Sequence, residues 1–347
     1  AGALEGFRAH LDELAATASG EWAIGEERYS ALLRDREQLG YGAAEMRRRG
    51  RDAYDEIAAE MGEVARRLDG AAGWRAVMER LNQDHAPTPE AMRDEYAAMA
   101  EKARRFLHET GIVTMPDGEE CRVEPSPVFQ RPVLAVASYS RPPAFRSSRT
   151  GTFFVPFPPE GTSEQEVQKR LETNSRASIP TITVHEAYPG HHWHLVTAQQ
   201  NPRRIRRVIG TPYFSEGWAL YAERLMREHG FFDDDAALLA HLDARLFRAA
   251  RIIVDTSLHI GDMTFEEAVT FMSTRASLSE PTARAEVGRY CSWPTQASSY
   301  LTGALEIERI RARYLTEGRG DLRSFNDAIA GAGMLPIGLA ERAVCGP

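Results

Sequence analysis

Cysteine is scarce in this chain. Cys121, Cys291 and Cys345 form an odd, scattered set, with neither a disulfide framework nor a cysteine-based zinc spacing. A reducing compartment suits so few thiols, and a cytoplasmic location is expected. Proline is absent from Ala1 through His85, which permits long helices there. No stretch approaches the roughly 18 apolar residues of a membrane span. Residues Ala1 to Arg8 lack a basic segment followed by an apolar one, so no signal peptide is expected in them. They also lack an initiator Met and read as a helix already under way, so a chain shortened or processed at its N-terminus is expected. Excess positive charge is missing too. With 42 Lys and Arg against 50 Asp and Glu the net charge is −8, which argues against a nucleic-acid partner. The short run Arg203, Arg204, Arg206, Arg207 reads as a solvated helix face.

What is present is ordinary for a soluble globular protein: 43% apolar and 27% charged residues, in a chain long enough for an ample core. From Gly2 to about Leu107, Ala, Leu, Glu and Arg dominate, with apolar residues at three- and four-residue steps. The first break is His85-Ala-Pro-Thr-Pro, where Thr88 or Pro89 can open the next helix. Between Gly111 and Pro159 β-branched and aromatic residues mix with Pro and Gly. Ile112–Met115, Val133–Tyr139 and Gly151–Val155 read there as short strands. Helices are expected again over Thr162–Ser175, Thr181–Gln199, Tyr213–His229, Asp234–His259, Thr264–Ser273, Pro281–Tyr290, Ala297–Thr316 and Leu322–Gly331, with a capping box at Thr264 and Glu267. The expected fold is mainly α: one catalytic domain over 1–347. It has a helical part at 1–110, a small β element lining a cleft at 111–160, and a second helical part at 161–347. Oligomeric state has no signal in the sequence.

Four of the ten histidines fall between His185 and His194. Histidine is the commonest neutral metal ligand. In zinc peptidases two histidines one helical turn apart grip the metal, and a Glu after the first takes a proton from water. Here the residue four after His185 is Pro189, and the candidate partners are His191 and His192. A seven-residue step on a straight helix rises about 10 Å, too far for one ion. The helix must therefore bulge, and Pro189-Gly190 supplies the reason. His191 needs the smaller distortion and is favoured as ligand, leaving His192 for the substrate or oxyanion; the reverse assignment is the alternative. A kinked helix with core histidines is the bland reading of the same residues.

A third ligand is expected from Tyr213–Glu223. Glu216 sits there among apolar residues, where a carboxylate needs a partner such as a cation, and Glu223 can orient a His ligand from behind. Arg248, Arg251, Asp255 and His259 recur on one helix face; they read either as a salt-bridge stripe or as groups that put Asp255 or His259 behind the metal shell or on the oxyanion. The last cluster spans Glu286 to Tyr300. Its Tyr290 and Tyr300 are candidate oxyanion donors and Arg289 a candidate clamp for a substrate carboxylate. Core tyrosines and a structural arginine are the plain alternative.

His-Glu-x-x-Pro-Gly-His-His (185–192), Ser-Glu-Gly-Trp-Ala-Leu-Tyr-Ala-Glu (215–223), Asp-Thr-x-Leu-His (255–259) and Arg-Tyr-x-x-Trp-Pro-x-Gln-Ala-x-x-Tyr (289–300) occur in this order. Together they resemble the bacterial family called domain of unknown function 885. Weaker matches at Gly25–Leu33, Ala137–Ser140 and Gly151–Val155 extend the resemblance over nearly the whole chain; Tyr139 of the second of these and Gln296 of the 289–300 motif are substrate-binding candidates. That family is similar to helical zinc peptidases of the Taq carboxypeptidase and angiotensin-converting-enzyme type. The resemblance implies Zn²⁺ on His185, His191 (or His192) and Glu216, with Glu186 as base. Family members are usually longer before the Gly25 region, and often carry Pro-Gly-Gln where this chain has Pro294-Thr295-Gln296. The expected function is zinc-dependent hydrolysis of a peptide, of carboxypeptidase or oligopeptidase type. The rivals are an amide hydrolase for a small metabolite and a non-catalytic binding or scaffold half.

Overall fold

The computed structural model describes residues 2–132 and 134–346. Helices dominate, as the composition requires. In the first part these are α1 (Gly2–Thr17), α2 (Glu26–Ala31, continued by a π turn to Arg36), α3 (Ala43–Leu68), α4 (Trp74–Leu81) and α5 (Pro89–Thr110). The Thr88 hydroxyl accepts from the Ala91 N–H and Pro89 occupies the first turn, so α5 starts where the sequence places it. Three strands follow: β1 (Glu120–Pro125), β2 (Ser138–Ser140) and β3 (Thr150–Val155). Then come α6 (Glu164–Glu172), α7 (Ile179–Glu186), α8 (His191–Gln199), α9 (Pro212–Glu228), α10 (Asp235–Ile260), α11 (Phe265–Arg275), α12 (Glu280–Ser292), α13 (Ser299–Thr316), α14 (Leu322–Gly331) and α15 (Ile337–Cys345). Thr264 and Glu267 form the expected capping box on α11, and Ser163 with Glu166 form another on α6. No described helix is long and apolar enough to cross a membrane.

The sheet is small and mixed, in the order β1–β3–β2, with β3 parallel to β1 and antiparallel to β2. Phe153 and Val155 of β3 point into the core, while β1 alternates between exposed and half-buried positions. That polar alternation is why β1 escapes a reading based on apolar runs. Ile112–Met115 is not a strand. Its backbone is held by α14 instead: Asn326 donates to the Ile112 carbonyl at 2.9 Å and Asp327 accepts from the Thr114 N–H at 2.9 Å. Of the expected strand at 133–139, only Ser138 and Tyr139 pair in the sheet, and Val133 lies outside the described residues.

Two helix crossings set the spacing of the body. At one, α3 meets α10 with Gly50 against Ile252. At the other, α9 meets α13 with Gly217 against Gly303; a Cβ on Gly217 would stand 2.6 Å from the Gly303 backbone, and one on Gly303 would land on the Tyr213 carbonyl. Trp218 of α9 stacks on Trp193 of α8 at 5.4 Å between ring centroids. The sheet is tied to the helices by Glu119, which is buried. Its carboxylate accepts from Arg104 Nε at 2.7 Å, from Tyr188 at 2.5 Å and from His192 Nε2 at 2.8 Å. Burial would raise its pKa, but these three donors outweigh burial and hold it at about 2.

Gly303→Ala is expected to lower unfolding stability by about 1–3 kcal/mol through overpacking, read from urea midpoints. Glu119→Gln should cost about 3 kcal/mol near neutral pH, since it breaks a buried, hydrogen-bonded charge. Because the folded pKa is depressed, this contribution is present above the ordinary value of 4.5 and fades as pH falls towards about 2. Unfolding curves across that window should therefore bring wild type and variant together.

Candidate metal centre

The expected continuous helix over Thr181–Gln199 is two helices, α7 and α8, separated by Ala187–Gly190. The backbone ladder explains the gap. The Gly190 N–H donates to the Val184 carbonyl at 3.0 Å and the Trp193 N–H to the Ala187 carbonyl at 3.2 Å. Both bonds reach back six residues instead of the helical four. Two extra residues are thus absorbed, and His191 comes to stand beside His185 as if one turn away. Gly190 is required there by proximity, since a Cβ would overlap the carbonyl oxygens of Val184 and His185. The Tyr188–Pro189 peptide is cis, and the Pro189 carbonyl accepts from Trp218 Nε1 at 2.8 Å, which fixes the break against α9.

The imidazoles of His185 and His191 lie edge to face at 4.8 Å between centroids. From α9, Glu216 Oε2 stands 3.5 Å from Nε2 of each. All three donor atoms lie within 4.8 Å of one another. Zinc bonds to nitrogen and oxygen of roughly 2.0–2.2 Å at tetrahedral angles separate neighbouring donors by about 3.4 Å. The 3.5 Å separations therefore fit such an ion, as does the donor set of two imidazoles and one carboxylate.

His185 presents Nε2 to this cluster because Nδ1 is engaged behind it by Glu223 at 2.8 Å. The other oxygen of Glu223 accepts from Thr181 at 3.0 Å and lies 3.4 Å from His241 Nδ1. Burial works against the Glu223 carboxylate, yet His185 and His241 hold its pKa well below the usual carboxylate range. Burial likewise pulls the His185 imidazolium down, but Glu216 and Glu223 outweigh it and lift its pKa to about 10. The pocket is thus tuned for positive charge between two carboxylates, which a divalent ion satisfies as well as a proton does.

Glu186 sits beside the cluster and its Oε2 is buried with no hydrogen-bond partner. Burial raises its pKa, opposed by His185 and His191. A cavity of about 590 Å³ opens onto Glu186, His185, His191 and Glu216, walled by Tyr139, Phe247, Arg248 and Tyr300 among others. A second cavity of about 460 Å³ shares Tyr139, His191 and Glu216 with the first.

Several expected roles are corrected by position. His192 is one residue, about 100°, around α8 from His191 and faces away from the cluster. Its Nε2 is held by Glu119 and its Nδ1 lies 2.8 Å from the Tyr139 hydroxyl, so neither nitrogen is free for an oxyanion or an ion. Tyr139 keeps its ring on both cavities but commits its hydroxyl to His192. Asp255 and His259 lie roughly 10 and 16 Å further along α10 than Arg248. Asp255 accepts from Tyr29 at 2.6 Å, and His259 Nε2 lies 3.0 Å from the Tyr290 carbonyl, so they form a buried structural knot away from the metal donors. Tyr290 donates to Glu286 at 2.8 Å and accepts from Arg251 Nε at 3.2 Å, supporting that arginine and not an oxyanion. Arg289 is held by Glu286 and Gln296, and neither Arg289 nor Gln296 lines the cavity. Thr295 beside them adopts φ +70°, the left-handed region that suits the glycine common in this motif. Tyr300 does line the cavity, under the Arg251 guanidinium at 4.8 Å.

The residues that sequence reading undervalued are Arg248 and Arg251, taken as a possible salt-bridge stripe, with Asp243, Thr181 and Glu119. Only the i, i+3 spacing of the two arginines hinted at a shared face. Arg251 pairs across helices with Glu286 at 2.7 Å, and Arg248 has no ion pair among the described residues.

A solved structure of a protein of unknown function from Shewanella oneidensis, described as a lipoprotein, is 23% identical, with a TM-score of 0.83 over 96% of this chain and 62% of that one. Another, from Colwellia psychrerythraea and likewise described as a lipoprotein, is 24% identical, with a TM-score of 0.84 over 96% of this chain and 58% of that one. This chain therefore spans about three fifths of the length of either. At such identities the likeness speaks for the mainly helical fold with its small sheet. No curated protein matches the chain. Residues 1–344 match the family described as bacterial protein of unknown function (DUF885), and the chain belongs to that family.

Proposed function

We propose that the protein hydrolyses peptide bonds with a zinc ion held by His185, His191 and Glu216. The observation that carries this reading is the buried, unpartnered Oε2 of Glu186 beside a cluster in which Glu216 Oε2 stands 3.5 Å from Nε2 of both His185 and His191. When bound, zinc supplies Lewis acidity to a substrate carbonyl and to the attacking water.

The chain's own residues do the rest. Glu186 takes a proton from the water and delivers it to the leaving amine. Burial raises its pKa, which suits a group that must both accept and release a proton. Glu223 keeps the His185 proton on Nδ1 and the Nε2 lone pair turned to the cluster. Tyr300 is the expected donor that faces the cavity with its hydroxyl uncommitted among the described residues, and it is placed to stabilise an oxyanion.

A peptide substrate is favoured over a small amide by strand β2. It is the outer strand of the sheet, and no strand pairs with its other side among the described residues. Residues 135–139 line the larger cavity, and Tyr139 and Arg141 the smaller one. An extended chain laid along this edge would cross the metal donors with its backbone paired.

Metal analysis of the purified protein should find about one zinc per chain, and its absence would defeat the reading. Glu186→Gln should retain zinc and lose about 10²–10⁴-fold in turnover of a peptide library; an unimpaired variant would remove Glu186 from its role. Glu223→Gln should weaken zinc binding about tenfold in a competitive chelator titration, because the orienting charge behind His185 is lost.

A further inference from the structure

The larger cavity beside the metal donors holds a positive charge that the fold leaves unpaired. Arg248 projects from α10 into it. Its Nη1 donates to the Ala244 carbonyl of its own helix at 3.0 Å, its Nε is buried without a partner, and among the described residues it forms no ion pair. Asp243 faces the same cavity from the same helix without closing a pair with it. The neighbouring cation is different. Arg251 is neutralised by Glu286, braced by the Tyr290 hydroxyl and sandwiched by Phe247 and Tyr300 at 4.1 and 4.8 Å. Arg251 therefore serves as a wall, and Arg248 remains the free donor.

Position gives this free donor its meaning. Arg248 lines the same cavity as Glu186, His185 and His191. An anionic group on Arg248 would thus lie within a short reach of the reacting centre. A guanidinium fork matches a planar carboxylate, and the partial enclosure strengthens the attraction. The two cavities share Tyr139, His191 and Glu216 as lining residues, so an extended chain passing the metal donors has room in both. The larger, at about 590 Å³, is in the range of small-ligand sites and holds a short peptide end.

We propose that Arg248 binds the free α-carboxylate at the C-terminus of a peptide, so that the larger cavity takes the C-terminal fragment and the smaller one the rest of the chain. The consequence for catalysis rests on the peptidase reading above: water adds to the carbonyl carbon, the C–N bond breaks, and the proton held by Glu186 passes to the amine of the released C-terminal fragment. Recognition of the carboxylate does not itself need turnover. Arg289, the clamp suggested by the sequence, lies outside the cavity and cannot serve.

The test is calorimetric titration of the metal-free protein, prepared by chelation, with N-acetyl-Ala-Phe and with its C-terminal amide. The acid is expected to bind about tenfold or more tightly than the amide, as a charge-assisted contact requires. Arg248→Gln should bring the acid down to the level of the amide and leave the amide within about twofold, whereas Arg248→Lys should keep part of the preference. Equal binding of acid and amide by the unaltered protein, or binding of neither, overturns the proposal without any variant having to fold. A preference that survives in Arg248→Gln overturns it too. Preference for the acid together with no hydrolysis by the zinc-loaded protein upholds the carboxylate site and removes the peptidase reading.

Discussion

Everything at the candidate centre depends on two backbone hydrogen bonds that reach back six residues, from Gly190 to Val184 and from Trp193 to Ala187. They bridge the break between α7 and α8 and take up two residues more than a helical turn would. On an unbroken helix six residues turn through about 600°, which would leave His185 and His191 about 120° apart around the axis and unable to share a ligand. The widened turn is in turn held from three sides: by Trp218 on the Pro189 carbonyl, by Glu119 on Tyr188 and His192, and by the missing Cβ of Gly190.

Two buried carboxylates divide the histidines into different duties. Glu223 stands behind His185 and turns its lone pair towards Glu216 and His191. Glu119 stands behind His192 and turns that ring into a strut between the sheet and the break. Two histidines of one motif thus end in opposite roles, and the difference comes from which carboxylate each meets. Both carboxylates are kept ionised by the donors around them in spite of burial. Glu186 differs from these two: burial raises its pKa, and no donor satisfies its Oε2. What sets this atom apart is its place, at a cavity that also opens onto His185, His191 and Glu216.

The helical body was largely legible, because apolar periodicity, Pro punctuation and caps such as Thr88 and Thr264 are local signals. His185, His191, Glu216 and Glu223 were legible for a related reason: they occur in two compact motifs, and the wrong spacing of the first itself demanded a distorted helix. Its form, two helices around a wide turn, depends on long-range contacts to Trp218 and Glu119 that no spacing reveals. The misplaced residues share a cause. His192, His259, Asp255, Tyr290, Arg289 and Gln296 carry catalytic-looking chemistry, but helical rise and rotation point them elsewhere. The β1 strand was missed because its residues are polar and only half-buried, and Arg248 because an arginine on a helix face ordinarily meets a carboxylate.

Gly217, at the crossing of α9 and α13, directly follows Glu216 in the chain. The backbone that carries the Glu216 carboxylate is therefore located by main chain resting on main chain. Scaffold and ligand are consecutive residues on one turn. Ion affinity then works as a gauge of how tightly the bundle is closed: any loosening between these two helices registers first as a donor withdrawn from its ring, before the core as a whole gives way.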